Sequence, residues 1–128
     1  MRFHPPTLLL LIGLLHASDA MSSSIVCEAE YGARTERMQV PAAPDAFTFQ
    51  TVTIESRFRF QAQWLPQRQK LKTYLYERRG KSFVLLHAAE YPVLPSACPA
   101  AGIDFGLNKV YASELEREVF YQCRMLCE

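Results

Sequence analysis

Residues 58–76 read FRFQAQWLPQRQKLKTYLY, and this stretch decides the fold. On either side of Pro66-Gln67-Arg68-Gln69 apolar residues take every second position, the period of a half-buried strand and not of a helix. Closing those four residues as a hairpin loop places Trp64 opposite Leu71, Ala62 opposite Thr73 and Phe60 opposite Leu75. The same register places Gln63 opposite Lys72, Gln61 opposite Tyr74 and Arg59 opposite Tyr76. One face is then apolar and the other polar and aromatic, as a sheet with one buried side requires.

Working outward, the chain from Phe47 to Trp64 is β-prone throughout. Val52, Ile54, Ser56, Phe58, Phe60, Ala62 and Trp64 share one parity, with a bend or bulge expected near Glu55-Ser56. Downstream, a turn at Arg79-Gly80 brings Leu75 opposite Val84 and Thr73 opposite Leu86, so strands over 47–64, 70–78 and 82–90 form an antiparallel meander. Upstream, Ile25, Cys27, Ala29 and Tyr31 alternate as a first strand, and Met38 and Val40 mark a short second one. The C-terminal stretch carries two periods at once. Ser113 and Glu116 make a capping box, followed by Leu115, Val119, Cys123 and Leu126 at helical spacing. Val119, Tyr121, Cys123, Met125 and Cys127 also alternate, but the cap favours a short helix or helical turn beginning at Ser113, with room for a return to strand before Cys123. The expected fold is mainly β: a single meander or sandwich-like antiparallel domain with a short C-terminal helix and two disulfides.

The N-terminus has the pattern of a secretory signal peptide: Arg2, an apolar run over Leu8–Leu15, then Ser18-Asp19-Ala20 with small residues where a signal peptidase reads. That run is too short for a hydrocarbon core, which needs about twenty residues, so no stable membrane anchor is expected. Residues 1–20 are read as the signal peptide and 21–128 as one disulfide-stabilised β-rich domain, exported to a periplasm or secreted. With 49% apolar and 21% charged residues, the composition is that of a packed chain and excludes disorder.

In an oxidising compartment Cys27, Cys98, Cys123 and Cys127 pair. A bridge between Cys123 and Cys127 is excluded by distance on a strand and by strain on a helix. Two connectivities remain: Cys27 to Cys123 with Cys98 to Cys127, or Cys27 to Cys127 with Cys98 to Cys123. Ligands so scattered, beside a single histidine after residue 20, argue against a zinc site, and no cofactor is expected.

Few catalytic chemistries survive the residue inventory. His87 has Ser82 and Ser113 as conceivable nucleophiles, yet neither lies in a glycine-flanked elbow. Paired cysteines are not thiolate nucleophiles. Glu114, Glu116 and Glu118 form a carboxylate run that suits a helix start or a solvated strand better than paired acid/base work. A small exported hydrolase using His87 or the Glu114–Glu118 carboxylates is the alternative reading.

Charge is segregated, although the net charge is only +1. Residues 57–81 hold Arg57, Arg59, Arg68, Lys70, Lys72, Arg78, Arg79 and Lys81 against the single acid Glu77, a local +7. In the registers above, Arg57, Arg59, Lys72, Tyr74 and Tyr76 share an outer face with Phe83, Leu85 and His87. Such a face suits single-stranded nucleic acid, or else an acidic protein or envelope polyanion, and export argues against nucleic acid. The leading expectation is therefore a binding module for a protein with an acidic surface: an inhibitor, an immunity factor or an accessory subunit of an envelope assembly. The competing expectations are that the C-terminal element covers this face, that His87 pairs with Lys72 across the strands or caps a core edge, and that the proline segment from Pro92 to Gly106 is the contact loop or a plain surface crossover. Thiol titration of the denatured, unreduced protein is expected to find essentially no free thiol; two or more would remove the disulfide framework.

Overall fold

The computed structural model describes residues 1, 23–94, 98–113 and 116–127. The signal-peptide reading of 1–20 lies outside the described residues, as do Glu114 and Leu115. Eight strands follow in order: β1 (Ser23–Tyr31), β2 (Arg34–Val40), β3 (Gln50–Ile54), β4 (Phe58–Leu65), β5 (Lys70–Arg79), β6 (Ser82–Pro92), β7 (Ile103–Ala112) and β8 (Arg117–Cys127). They form two four-stranded antiparallel sheets, ordered β2-β1-β8-β7 and β3-β4-β5-β6. The chain is mainly β, and the inward positions of the two sheets meet in one sandwich core.

The β4–β5 hairpin has the register that residues 58–76 dictate, from Phe60 opposite Leu75 to Trp64 opposite Leu71, with Arg59 opposite Tyr76 on the outer side. Between the two strands Pro66–Arg68 makes a 3₁₀ turn, and Gln69 completes it in the left-handed region at φ 52°. The expected bend at Glu55-Ser56 is a full hairpin turn. Both residues have positive φ, the Arg57 N–H donates to the Ile54 carbonyl at 3.0 Å, and Ile54 faces Phe58. Parity survives because directly opposed residues point to one side of a sheet, so Val52, Ile54, Phe58 and Phe60 still share the core face.

The second hairpin differs from the sequence expectation. Its loop is Gly80-Lys81, with Arg79 opposite Ser82, and Gly80 sits at φ 62°, which a two-residue turn demands of its first central position. Val84 therefore faces Glu77 and not Leu75. A bulge at the next step then opposes Leu75 to His87 and Thr73 to Ala89, not to Leu86. One extra residue on an edge strand reverses the parity of everything after it.

Among the described residues the C-terminal helix is not formed. Arg117–Cys127 is the strand β8, lying between β1 and β7 in the middle of the first sheet. Glu116, the capping-box acid, has φ 48° and belongs to a turn. A central strand satisfies its N–H and C=O groups on both sides. The alternation of Val119, Tyr121, Cys123 and Met125, all buried, supplies the core face that the competing helix would have broken up. The Pro92 to Gly106 segment is likewise not all loop, since β7 starts at Ile103. Gly102 is held at φ 80° where an added Cβ would lie 2.5 Å from the Met125 carbonyl oxygen, so only glycine lets the crossover lie so close to β8.

Of the two connectivities, the structure has Cys27–Cys123 and Cys98–Cys127, with Cα separations of 4.1 and 5.6 Å. The first joins directly opposed residues of β1 and β8, and the second ties the proline segment to the end of β8. Their sequence separations are 96 and 29 residues. Loop-closure entropy then predicts losses of about 4.7 kcal/mol for the double alanine variant of the first pair and about 3.6 kcal/mol for the second. Urea unfolding of both variants checks the order; a larger loss at Cys98/Cys127 would show that native packing, not chain closure, dominates.

Candidate partner-binding face

The outer face of the β3-β4-β5-β6 sheet collects the residues singled out in the sequence. Arg59 lies across from Tyr76 and Gln61 from Tyr74, with Gln63 across from Lys72. On the β6 side Arg78 faces Phe83, Tyr76 faces Leu85, Tyr74 faces Ala88 and Lys72 faces Glu90. Tyr74 and Tyr76 stack at 6.5 Å between ring centroids, and Phe49 meets Tyr74 edge-on at 5.8 Å. The Arg59 guanidinium carbon stands 3.8 Å from the Phe83 ring centroid, a cation–π contact that holds the charge flat on the surface. Arg57 stands at the end of this face, where its carbonyl accepts the Arg78 N–H at 2.7 Å.

The C-terminal element does not cover this face, because β8 is in the opposite sheet. Among the described residues it is the Lys72 end that is roofed. There the Gln63 amide donates to the Asp45 and Thr48 carbonyls at 3.3 and 3.1 Å, drawing residues 45–49 over the margin. Asp45 fixes that segment by accepting the Phe47 and Thr48 N–H groups at 2.8 Å each; its carboxyl is held below the usual range, chiefly by the Phe47 bond.

The cations divide into two groups. Lys70 and Lys72 both reach Glu90, at 3.6 and 3.5 Å, and Arg79 meets the buried Glu77 carboxylate at 3.3 Å. Arg79 also donates to the Ser113 hydroxyl at 3.4 Å, linking the hairpin to the β7–β8 turn. Arg57, Arg59, Arg68, Arg78 and Lys81 have no acidic partner within salt-bridge distance among the described residues. Four of these five lie at the Arg57 and Arg59 end of the face and around the β5–β6 turn, while Arg68 stands in the β4–β5 turn at the other end.

His87 is not on the face. The β6 bulge turns it inward, where its Nδ1 lies 2.8 Å from the Tyr121 hydroxyl, and Lys72 takes Glu90 as its cross-strand partner instead. The Tyr121 hydroxyl also meets the Thr73 hydroxyl at 3.0 Å, in the fully buried interior between the sheets. A phenol has one proton to give and lone pairs to accept, so it serves both neighbours. Burial raises the Tyr121 pKa well above the usual 10.0; the neighbouring Tyr91 adds to the rise and the Thr73 bond opposes it. Nothing in the sequence marked this group, since the signal lay in a bulge within the apolar run Phe83–Ala89.

Of the glutamate run, Glu114 lies outside the described residues, and Glu116 and Glu118 line none of the grooves at residues 42–46, at Arg57 or at Arg37. Glu116 lies in a turn, and Glu118 sits across from Tyr111, whose hydroxyl pKa it raises first by a hydrogen bond and then by its charge. The surface grooves are open: about 400 Å³ between residues 42–46 and 65–68, about 310 Å³ at Arg57 and Arg78, and about 130 Å³ around Arg37 and Arg124. His87 lines none of these. Among the described residues no group of three His, Cys, Asp or Glu is placed to hold a metal ion, and no helix is long and apolar enough to cross a membrane. Comparison with protein-family models, curated proteins and solved structures yields no match to the chain.

Two outcomes follow for the buried hydroxyl. Tyr121→Phe strands both the Thr73 oxygen and the His87 Nδ1 and is expected to cost about 1–2 kcal/mol, while Tyr121→Phe with Thr73→Val recovers the Thr73 part of that loss in a double-mutant cycle. The raised pKa means the fold favours the neutral phenol. Its contribution is complete below pH 10.0 and falls as pH rises above it, because the unfolded chain then releases a proton that the native chain keeps. Unfolding free energies of wild type and Tyr121→Phe across pH 9–11 test this, and parallel curves would refute it.

Proposed function

We propose that this chain is a small exported binding module that recognises a protein partner through the basic and aromatic outer face of the β3-β4-β5-β6 sheet. The observation that carries the reading is the coexistence of stacked Tyr74 and Tyr76 with an Arg59 and Arg57 margin that has no acidic partner among the described residues. Charges left free at a rim accelerate encounter with an opposite surface, and rigid aromatic rings bury area at little entropic cost. An acidic protein surface is the complement. The two disulfides fit an oxidising compartment, and together with the leader-like residues 1–20 they support a periplasmic or secreted location. An inhibitor, an immunity factor or an envelope-assembly subunit would use such a face. The hydrolase alternative draws less support, because His87 is committed to Tyr121 and the Glu116 and Glu118 carboxylates face no shared groove.

Capture of the partner by the disulfide-bonded protein, with crosslinking and identification, precedes the decisive kinetics. Arg57→Ser with Arg59→Ser is expected to lower the association rate and flatten its salt dependence, since free charges steer over a Debye length of about 8 Å. Tyr74→Ala or Tyr76→Ala is expected to raise the dissociation rate by the equivalent of about 1–3 kcal/mol. Unchanged rates in folded variants of both kinds would remove this face from binding.

A further inference from the structure

Four strands lie at sheet edges: β2, β3, β6 and β7. Three are guarded in ways that ordinarily prevent edge-to-edge pairing. β2 carries Arg34, Glu36 and Arg37; β3 has five residues; β7 contains Lys109 and shifts register around Gly106. β6 is different. It runs for eleven residues with no lysine or arginine, and its one acid, Glu90, is held by Lys70 and Lys72. Val84 and Leu85 are 37% and 49% exposed, and among the described residues its outer N–H and C=O groups pair with no other strand.

The bulge divides this edge into two limbs. In the first, Ser82–Leu85 pairs regularly with Arg79–Tyr76, and it is bordered by the cations that lack acidic partners: Arg59 over Phe83, Arg78 across from Phe83, and Lys81 in the turn. The geometry points to Ser82–Leu85 as a strand-addition site, at which an extended acidic segment of a partner protein continues the β3-β4-β5-β6 sheet. The inference rests on the binding-face reading above and says how the partner is seated. Main-chain hydrogen bonds to β6 hold the segment, and alternate side chains of the added strand fall on the Tyr76, Phe83 and Arg59 side. Charge complementarity selects this occupant over a second copy of the chain, whose own β6 would bring the same cations to the junction.

The test uses the full disulfide-bonded chain and two synthetic octapeptides, one alternating glutamate with valine and threonine, the other with lysine in place of glutamate. Backbone amide NMR with hydrogen exchange is expected to show saturable binding of the acidic peptide only, with exchange of outward amides in 82–85 slowed at least tenfold. Successive N–H groups along a strand point to opposite sides, so of Val84→Pro and Leu85→Pro one removes an outward donor and the other a bond to β5. The variant that retains its fold is expected to bind the acidic peptide at least tenfold more weakly. Binding that perturbs Arg59, Tyr74 and Tyr76 while leaving exchange in 82–85 unchanged would overturn strand addition and leave the face reading standing. Failure of the acidic peptide to bind better than the basic one would overturn both. Concentration-dependent dimerisation that protects the same amides without peptide would assign the edge to self-pairing and overturn the acidic occupant.

Discussion

The pairing of the first strand with the last is the constraint on which the rest of the structure depends. β1 and β8 run antiparallel through the centre of one sheet, from Ser23 opposite Cys127 to Tyr31 opposite Val119. Neither can form a sheet alone, and joining them closes nearly the whole described chain into a loop. That closure costs entropy before any contact is made. The Cys27–Cys123 bond falls on directly opposed residues within this pair, so it reinforces the one contact that local hairpins cannot supply. Once β8 is seated, Val119, Tyr121, Cys123 and Met125 become the floor onto which the β3–β6 meander packs.

The meander was legible in advance because it obeys local rules. Turn length and parity between Phe58 and Tyr76 admit one register that buries the apolar set, and the structure has it. Directly opposed residues share a face, so the outer position of Tyr74, Tyr76 and Arg59 followed from the same step. β8 was harder. Leu115, Val119 and Cys123 are spaced by four, an interval that is one helical turn and also an even number, so it satisfies both periods. The decision falls to β1 and β7, which offer β8 partners on both edges, and a sequence read from its own neighbours does not contain that information. β7 was hidden for another reason: Asp104 and Leu107 bracket a register shift, which breaks the alternation of Ile103 and Phe105 before Val110 and Ala112 resume it.

The bulge in β6 was illegible because Leu85-Leu86 and Ala88-Ala89 carry no contrast between the two faces. Parity arguments need polar residues as markers, and the only polar residue in the run was His87. Assigned outward by unbroken alternation, it points inward to the Tyr121 hydroxyl. A polar side chain entering a sandwich core requires a partner. Tyr121 and Thr73, contributed by opposite sheets, supply it, and so the irregularity in one edge strand is coupled to hydrogen bonding across the core.

That coupling accounts for the uneven distribution of polarity on the β6 side. Before the bulge, Phe83 and Leu85 keep the outward parity of Arg78 and Tyr76, and the edge stays apolar beside free cations. After it, His87 and Tyr91 turn into the sandwich, where the Tyr91 hydroxyl accepts the Asn108 amide of β7 at 2.7 Å, while Glu90 closes the outer surface against two lysines. Had the strand run without the extra residue, His87 would have stood outside beside Tyr74, adding an imidazole to the face and leaving the Tyr121 and Thr73 hydroxyls with only each other. The single inserted residue therefore keeps the imidazole off the aromatic face and leaves its positive charge to guanidinium and ammonium groups. On the proposed reading, the attraction of this face for an acidic surface weakens as salt screens it.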